Sequence, residues 1–564
     1  MTQSAPRMSF EEACAAATAP DGAFPIVEAQ VRGITVPVFK NAPPSLRVLF
    51  SVARTRPDED FLVYEDERWT FGDAMAKVDA TAAMLVDRYD IQKGDRVAIA
   101  MRNYPEFITT FAAVVSVGGI AVLMNAWWTR EEMDYGLEDC GAKLLVADAE
   151  RIERAYPAMD RLGFKIVSVR VDDPPVGVDK LAEAWQLGDA MPEIDIEPED
   201  DATILYTSGT TGHPKGAVST NRAVVNALAA FACRTGVNRM MYPPSEAPAN
   251  PVSFILVVPL FHVTGLVPVM MSCFAGGYKL VMMYKWNPER ALELIERERV
   301  TQFVGVPTQS WDLLESPNFS KHDTSSLTNV GGGGAPAPPE LVRKIDKGFN
   351  KGAPGIGYGM TETNAYGPGN SGKEYLEKPR STGRTIPIMK LKVADEDGKD
   401  VPRGEIGEIW FFSPTLIRGY WNKPEATAET IVNGWLRSGD LGRMDDEGFL
   451  YVEDRAKDMV LRGGENIYSA EVEAAIYEHS AVHEAAIFGM PHERLGEEVA
   501  CALVAKRGET IDVDALKKHL AEHIASFKIP TIWEVRDEPL PRNASGKILK
   551  RNIRDEILAR AGQA

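Results

Sequence analysis

Cysteine is scarce in this chain of 564 residues: there are five, Cys14, Cys140, Cys233, Cys273 and Cys501, widely scattered, with no CxxC pair. That argues against a disulfide framework and against a cysteine-ligated zinc site, and it fits a reducing compartment. Basic charge is short as well, with Lys+Arg 62 against Asp+Glu 81 and a net charge of −19. No basic run offsets the deficit, so the composition speaks against nucleic-acid binding. An anionic ligand has to be held by local devices, not by the overall field. The opening MTQSAPRMSFEEACAAATAP lacks a basic start and a continuous apolar stretch, so no secretory leader is expected and the expected location is the cytoplasm. An unbroken membrane span is also missing. Residues 107–128, FITTFAAVVSVGGIAVLMNAWW, are long enough to cross a bilayer, but Gly118-Gly119 divides them. The pattern predicts a buried helix followed by a buried strand.

What is present is an ordinary globular composition, 45% hydrophobic and 25% charged, in a chain too long for one core. Short β-rich runs at 96–101, 143–148, 164–169, 202–207, 253–259, 278–283 and 301–307 alternate with helical patterns such as 222–233 and 288–299. Such alternation predicts an α/β fold with largely parallel sheets. From about Ile386 the texture turns β-rich, which suggests a small barrel-like section. After Asp454-Arg455 a compact α+β unit is expected over the last hundred residues. The expected division is 1–454, a hinge at 455–458 and a small mobile domain at 459–564.

The densest chemical signal follows the strand ATILY. Thr207, Ser208, Gly209, Thr210, Thr211, Gly212, His213, Pro214, Lys215 and Gly216 pack hydroxyls, glycines and one lysine into ten residues. Glycines let backbone N–H groups approach an anion, hydroxyls add donors and Lys215 adds charge, which is how a protein holds a phosphate chain. The string is not a GxxxxGK[ST] loop, because Pro214 stands five after Gly209; GIGYGM is not a dinucleotide fingerprint, because Met360 stands where the third glycine belongs.

TSGTTGHPKG resembles the phosphate-loop signature of the adenylate-forming superfamily, which includes acyl-CoA synthetases, peptide-synthetase adenylation domains and luciferases. PLFHVTG (259–265), GGGGAP (331–336), YGMTET (358–363), GEIGEIW (404–410), WLRSGDLG (435–442), DRAKDMVLRGGENI (454–467) and PRNASGKI (541–548) follow in that family's order. The resemblance implies an ATP-dependent acid–thiol ligase using ATP, Mg²⁺ and CoA. It assigns Asp440 to the ribose hydroxyls and Arg455 to the ribose or phosphates. Gly333, Gly334, Ala335 and Pro336 would lie under the adenine, with Tyr358, Gly359 and Met360 across from them. Thr361 would meet the α-phosphate, and Glu362 with Thr207 would hold Mg²⁺. Lys547 would be catalytic, bridging carboxylate and phosphate where charge builds up.

The same resemblance places Phe261, His262, Val306, Pro307, Gly334 and Gly357 around the acyl group. Peptide-synthetase relatives carry an aspartate where His262 stands, so the substrate is expected to lack an α-amino group. The flanking segments are almost wholly apolar, which favours a fatty or aromatic acid. Gly463, Gly464, Glu465 and Asn466 would border the path of CoA, and Lys457 would be the pivot on which the small domain turns between half-reactions. The competing expectation is an acyl-adenylate ligase that loads a carrier protein. The expected partners are small molecules, and the expected assembly is a homodimer.

Overall fold

The computed structural model describes residues 6–561 apart from 186–188, 208–213, 245–246, 336, 464 and 544–545. Among the described residues the strands form five sheets. One eight-stranded sheet runs in the order Gly419–Tyr420, Lys215–Thr220, Asp201–Thr207, Ile120–Leu123, Arg96–Ala100, Leu144–Asp148, Lys165–Val169, Val178–Lys180. The other runs Gly369–Ser371, Ala353–Gly357, Asn329–Gly333, Gln302–Gly305, Ser253–Leu256, Lys279–Met282, Asp60–Tyr64, Glu67–Thr70. Their interiors are parallel; antiparallel pairs close both edges of the second sheet and one edge of the first, whose other edge, Val178–Lys180, is parallel, so the fold is α/β as the strand–helix alternation predicts.

Alternation of side chains along a strand explains how these sheets are covered on both faces. In Arg96–Ala100, Val97 and Ile99 join the large core shared with the second sheet, while Ala98 and Ala100 join a separate core on the opposite face. Leu144 and Val146 against Leu145 and Ala147 repeat the division. A strand buried on both faces reads as a continuous apolar run, which is why residues 107–128 imitate a membrane span. In the structure Pro105–Ser116 is a helix with all 12 residues buried, and Ile120–Leu123 is the strand that follows. No described helix is long and apolar enough to cross a membrane. Burying Phe107 and Phe111 contributes about 1.5–3 kcal/mol each.

The β-rich section is a five-stranded antiparallel sheet built on Trp435–Met444, which pairs with Gly407–Phe412 and with Leu450–Arg455. Residues 456–459 then lead to Val460–Arg462, the first strand of the last sheet. There Gly496–Ala505 is central, pairing with Val482–His492, Ile532–Arg536 and Val460–Arg462. Val499, Cys501 and Leu503 face helices Ser469–Tyr477 and Val513–His523, whereas Ala500, Ala502 and Val504 share the other face with Ile553 of the last helix. The last unit therefore has its own two-sided core, as the compact α+β reading expects.

One turn is not foreseen by the sequence pattern. The apolar run that starts at Ser253 leaves its strand at Leu256 and passes through a turn into Gly265–Met271, a π-helical segment with Pro268 inside it. The His262 N–H donates to the Pro259 carbonyl at 3.1 Å and the Leu266 N–H to the His262 carbonyl at 3.0 Å. A Cβ at Gly265 would lie 2.4 Å from the Pro259 oxygen, so only glycine closes this turn. Gly265→Ala is therefore expected to lower stability by about 1–3 kcal/mol and to displace His262. A shifted urea midpoint checks this, and an unchanged midpoint would contradict it.

Candidate functional site

Three parallel neighbours end in glycine at one edge of the second large sheet. Gly305, Gly333 and Gly357 close the strands Gln302–Gly305, Asn329–Gly333 and Ala353–Gly357, with Gly333 opposite Gly357 in register. A Cβ at Gly333 would come 3.2 Å from the Gly357 oxygen, and one at Gly357 would meet nothing within 4 Å. The carboxyl ends of parallel strands are where open α/β sheets take ligands. Here that edge is a flat shelf of backbone beside open space. Gly334, at φ +76°, and Ala335 continue it; Pro336 lies outside the described residues.

Tyr358 follows directly. Its backbone N–H donates to the Pro368 carbonyl at 2.9 Å, and a Cβ at Gly367 would come 2.1 Å from the Tyr358 oxygen. A Cβ at Gly359 would strike the Ala365 oxygen at 2.4 Å. Glycine is thus required on both arms of this tight loop, which carries Met360 and the short helical turn Thr361–Thr363. The Tyr358 hydroxyl donates to Asp440 Oδ2 at 2.5 Å, and Arg455 Nε stands 3.4 Å from Asp440 Oδ1. Asp440 and Arg455 are register partners on adjacent strands, which fixes the pair. The structure thus gives both oxygens of Asp440 a protein neighbour, where the sequence reading left them free. The Tyr358 ring tilts against Phe411, with centroids 5.7 Å apart.

Lys547 joins this group from more than ninety residues further along. Desolvation and then the Arg455 guanidinium, opposed by Asp458 and Asp440, push its ammonium down to about 8. Its loop is closed by Arg542 Nη1 donating to the Gly546 carbonyl at 2.6 Å and by the Lys547 N–H donating to Asn543 Oδ1 at 2.9 Å. Gly546 has φ +82°, and a Cβ there would lie 3.0 Å from Val306 Cγ2. Only glycine lets the loop press against Val306.

Glu362 is buried and accepts from the Tyr420 hydroxyl at 2.7 Å; burial raises its proton affinity and that bond opposes the rise. The Lys215 ammonium sits 4.9 Å from the centre of the Tyr420 ring. Lys215 and Thr207 face each other across the strands that flank the phosphate-loop string. Thr207 Oγ1 donates to the Lys215 carbonyl at 3.4 Å. Ser208, Gly209, Thr210, Thr211 and Gly212 lie outside the described residues.

Of the residues expected around the acyl group, Val306 touches both partners. It lies 4.0 Å from a Cβ built at Gly334 and 3.0 Å from one at Gly546. Pro307 opens the helix Pro307–Glu315 and is buried, and Phe261 packs half-buried on the large core. Burial pushes the His262 imidazole down to about 4, so it is neutral near pH 7. The Thr264 N–H donates to its Nδ1 at 3.3 Å, which leaves the ring proton on Nε2. Gly463 turns at φ +60°, and Glu465 and Asn466 are exposed on the strand Glu465–Ile467; Gly464 lies outside the described residues.

Sequence reasoning missed several supporting residues. Tyr420 reaches Glu362 because the edge strand Gly419–Tyr420 pairs with Lys215–Thr220, two hundred residues earlier, and no local spacing marks it. Gln309 accepts from the Val306 N–H at 2.9 Å and donates to the Val257 carbonyl at 2.7 Å, tying two of the expected segments together. Asp454, at the end of the β-rich section, caps a helix of the last unit. The Ser469 N–H and hydroxyl donate to its two oxygens, the latter at 2.9 Å, and Lys550 Nζ donates to Ser469 Oγ at 2.7 Å. Lys550 also pairs with Glu473 at 2.8 Å. The first N–H of a helix has no partner inside it, so a carboxylate from outside satisfies it and complements the helix dipole.

The sequence matches the model of the AMP-binding enzyme family over residues 49–421, and that of the AMP-binding enzyme C-terminal domain over residues 471–547. A long-chain-fatty-acid–CoA ligase of Bacillus subtilis is 32% identical over 539 residues, covering 90% of this chain and 94% of that one. A feruloyl-CoA synthase of an Amycolatopsis species is 34% identical over 469 residues, covering 82% and 89%. Among solved structures, the o-succinylbenzoate CoA synthetase of Bacillus subtilis in complex with its acyl-adenylate superposes with a TM-score of 0.77 at 30% identity, covering 91% and 99%.

Replacing the cap tests the join between the two units. Asp454→Ala leaves the buried Ser469 N–H and hydroxyl short of an acceptor, a loss of about 1–3 kcal/mol. Limited proteolysis should then cut the 455–459 segment faster than in the parent protein. An unchanged cutting rate would show that the cap does not hold the units together.

Proposed function

The chain belongs to the AMP-binding enzyme family, and on that premise we propose that the cluster around Asp440 and Lys547 is its adenylation centre. The enzyme is an AMP-forming carboxylate–CoA ligase: it converts an acid and ATP to an acyl-adenylate and pyrophosphate, then passes the acyl group to CoA and releases AMP. The observation that carries the site assignment is the half-buried Lys547 beside Asp440 and Arg455, which are paired on the β-rich section. A carboxylate and an α-phosphate repel each other as they meet. A fixed ammonium in a water-poor site lowers that repulsion most in the transition state, because it is already oriented. Asp440 would accept from the ribose hydroxyls with the lone pairs that Tyr358 and Arg455 leave over. The glycine shelf lets a flat base lie against backbone.

Glu362 fits a magnesium ligand. It is a carboxylate on a buried turn, held by Tyr420 through one oxygen, and burial disfavours its charge unless a cation faces it. Mg²⁺ bound there would neutralise charge on the departing pyrophosphate. Thr207, which ends the strand leading into the phosphate-loop string, is the second proposed ligand.

For the acid we propose a hydrophobic one, fatty or aryl. The support is the apolar setting of Val306, Pro307 and Phe261, the neutral His262, and relatives that act on a long-chain fatty acid and on ferulate. Thioester formation would follow rotation about 455–458, with Lys457 as pivot, which withdraws Lys547 and brings the Gly463–Asn466 side to the shelf. A cytoplasmic location belongs to the same reading, supported by five cysteines that are all free and buried. A homodimer is proposed with it, and gel filtration decides that. Pyrophosphate release measured over acetate, octanoate, palmitate, benzoate and coumarate, with and without CoA, tests the acid and the acceptor. Turnover with a carrier protein but not with CoA would overturn the second.

The position of Lys547 sets a pH dependence. Its ammonium is the working form and is present below a pKa of about 8. The kcat/KM for adenylation should therefore fall as pH rises through about 8, by roughly a decade per unit beyond it. Lys547→Arg should work more slowly with no such limb, since arginine stays charged. An identical alkaline limb in the variant would assign it to another group.

A further inference from the structure

A second cluster lies on the helical face of the last unit, and nothing in the ligase chemistry uses it. His519 and His523 stand one turn apart on the helix Val513–His523, and Glu478 caps the C-terminus of Ser469–Tyr477 beside them. Among the described residues this is the only group of three such side chains whose offered ligand atoms all lie within 4.8 Å of one another.

The hydrogen bonds of the two imidazoles determine which nitrogens are available. His519 Nε2 faces the Ala475 carbonyl at 3.1 Å, and His523 Nδ1 faces the His519 carbonyl at 2.7 Å. A carbonyl oxygen only accepts, so both of those nitrogens carry the proton. The lone pairs are then on His519 Nδ1 and His523 Nε2. Fixing one ring nitrogen on a backbone carbonyl is how a metal-binding histidine is usually oriented. His523 Nε2 lies 3.6 Å from Glu478 Oε2. That is too long for a hydrogen bond. It is close to the separation of about 3.3 Å that two ligands at about 2.0–2.1 Å from one tetrahedral ion would have. Two lone-pair atoms that face each other at this distance repel unless a cation lies between them.

We propose that Glu478, His519 and His523 form a surface site for one divalent transition-metal ion, with Zn²⁺ as the natural occupant and water completing the shell. Two imidazoles and one carboxylate suit zinc, nickel or copper and do not suit Mg²⁺ or Ca²⁺, which take oxygen ligands. The ion would pin the end of the helix that Asp454 caps to the neighbouring helix, and so stiffen the small unit without touching the nucleotide. His479 is not a ligand through Nδ1, because that atom accepts from the Ala481 N–H at 3.4 Å; its ring stands edge-on to His519, 5.7 Å away.

The test uses the full chain stripped with chelator and titrated with Zn²⁺, Mg²⁺ and Co²⁺ by calorimetry, melting and visible absorption. One equivalent of Zn²⁺ should bind and raise the melting temperature, Mg²⁺ should do neither at this site, and Co²⁺ should show tetrahedral d–d bands. His523→Ala and Glu478→Gln should each weaken the Zn²⁺ isotherm at least tenfold and remove those bands, with pyrophosphate release unchanged. Absence of a one-to-one isotherm, or a Zn²⁺ isotherm that His519→Ala and His523→Ala leave intact, would overturn the proposal.

Discussion

A half-buried lysine ammonium beside an arginine is costly, and the proposed adenylation centre depends on keeping Lys547 charged in that position. Burial and Arg455 both act to discharge it, while Asp440 and Asp458 act to retain the proton. The balance leaves a group that is still charged at neutral pH, and its partial burial makes its field on an anion placed beside it less screened than in bulk water. The rest of the arrangement keeps this geometry in place. Gly546 allows contact with Val306, Arg542 closes the loop and pairs with Glu484 at 2.8 Å, and Asp454 holds the helix of the small unit across the junction. The Gly546–Val306 contact reaches across to the large unit and Asp454 ties the junction to the small one, so Lys547 is positioned by the orientation of a whole unit.

The same orientation explains why the shelf is glycine. Gly305, Gly333 and Gly357 end three adjacent parallel strands, and Gly334 turns immediately after the second. A side chain at Gly357 would enter open space, and one at Gly333 would press on the Gly357 oxygen. Reduced backbone stability at these positions is the expected cost of that opening.

The fold was largely legible because parallel strands buried on both faces leave continuous apolar runs, and because Gly118-Gly119 separated a helix from a strand. The motif order brought out Asp440, Arg455, Glu362 and Lys547, each of which the structure brings into one cluster. What stayed hidden has one physical cause: it is produced by pairing between distant segments. Tyr420 reaches Glu362 through an edge strand of two residues, Gln309 links Val306 to Val257, and Asp454 caps a helix that begins fifteen residues later in a different unit. Nor could periodicity reveal the π-helical turn after His262, since its apolar pattern reads equally as strand or helix.

On the proposed reading, this orientation of the small unit serves adenylate formation and not thioester formation. Lys547→Ala measured in two assays tests it most directly: pyrophosphate exchange with acid and ATP, and thioester yield from pre-formed acyl-adenylate and CoA. The account requires exchange to fall by at least about two decades while thioester yield from the adenylate stays within a few-fold of the parent enzyme. Equal losses in both assays would contradict it, because Lys547 would then act in a single arrangement common to both half-reactions.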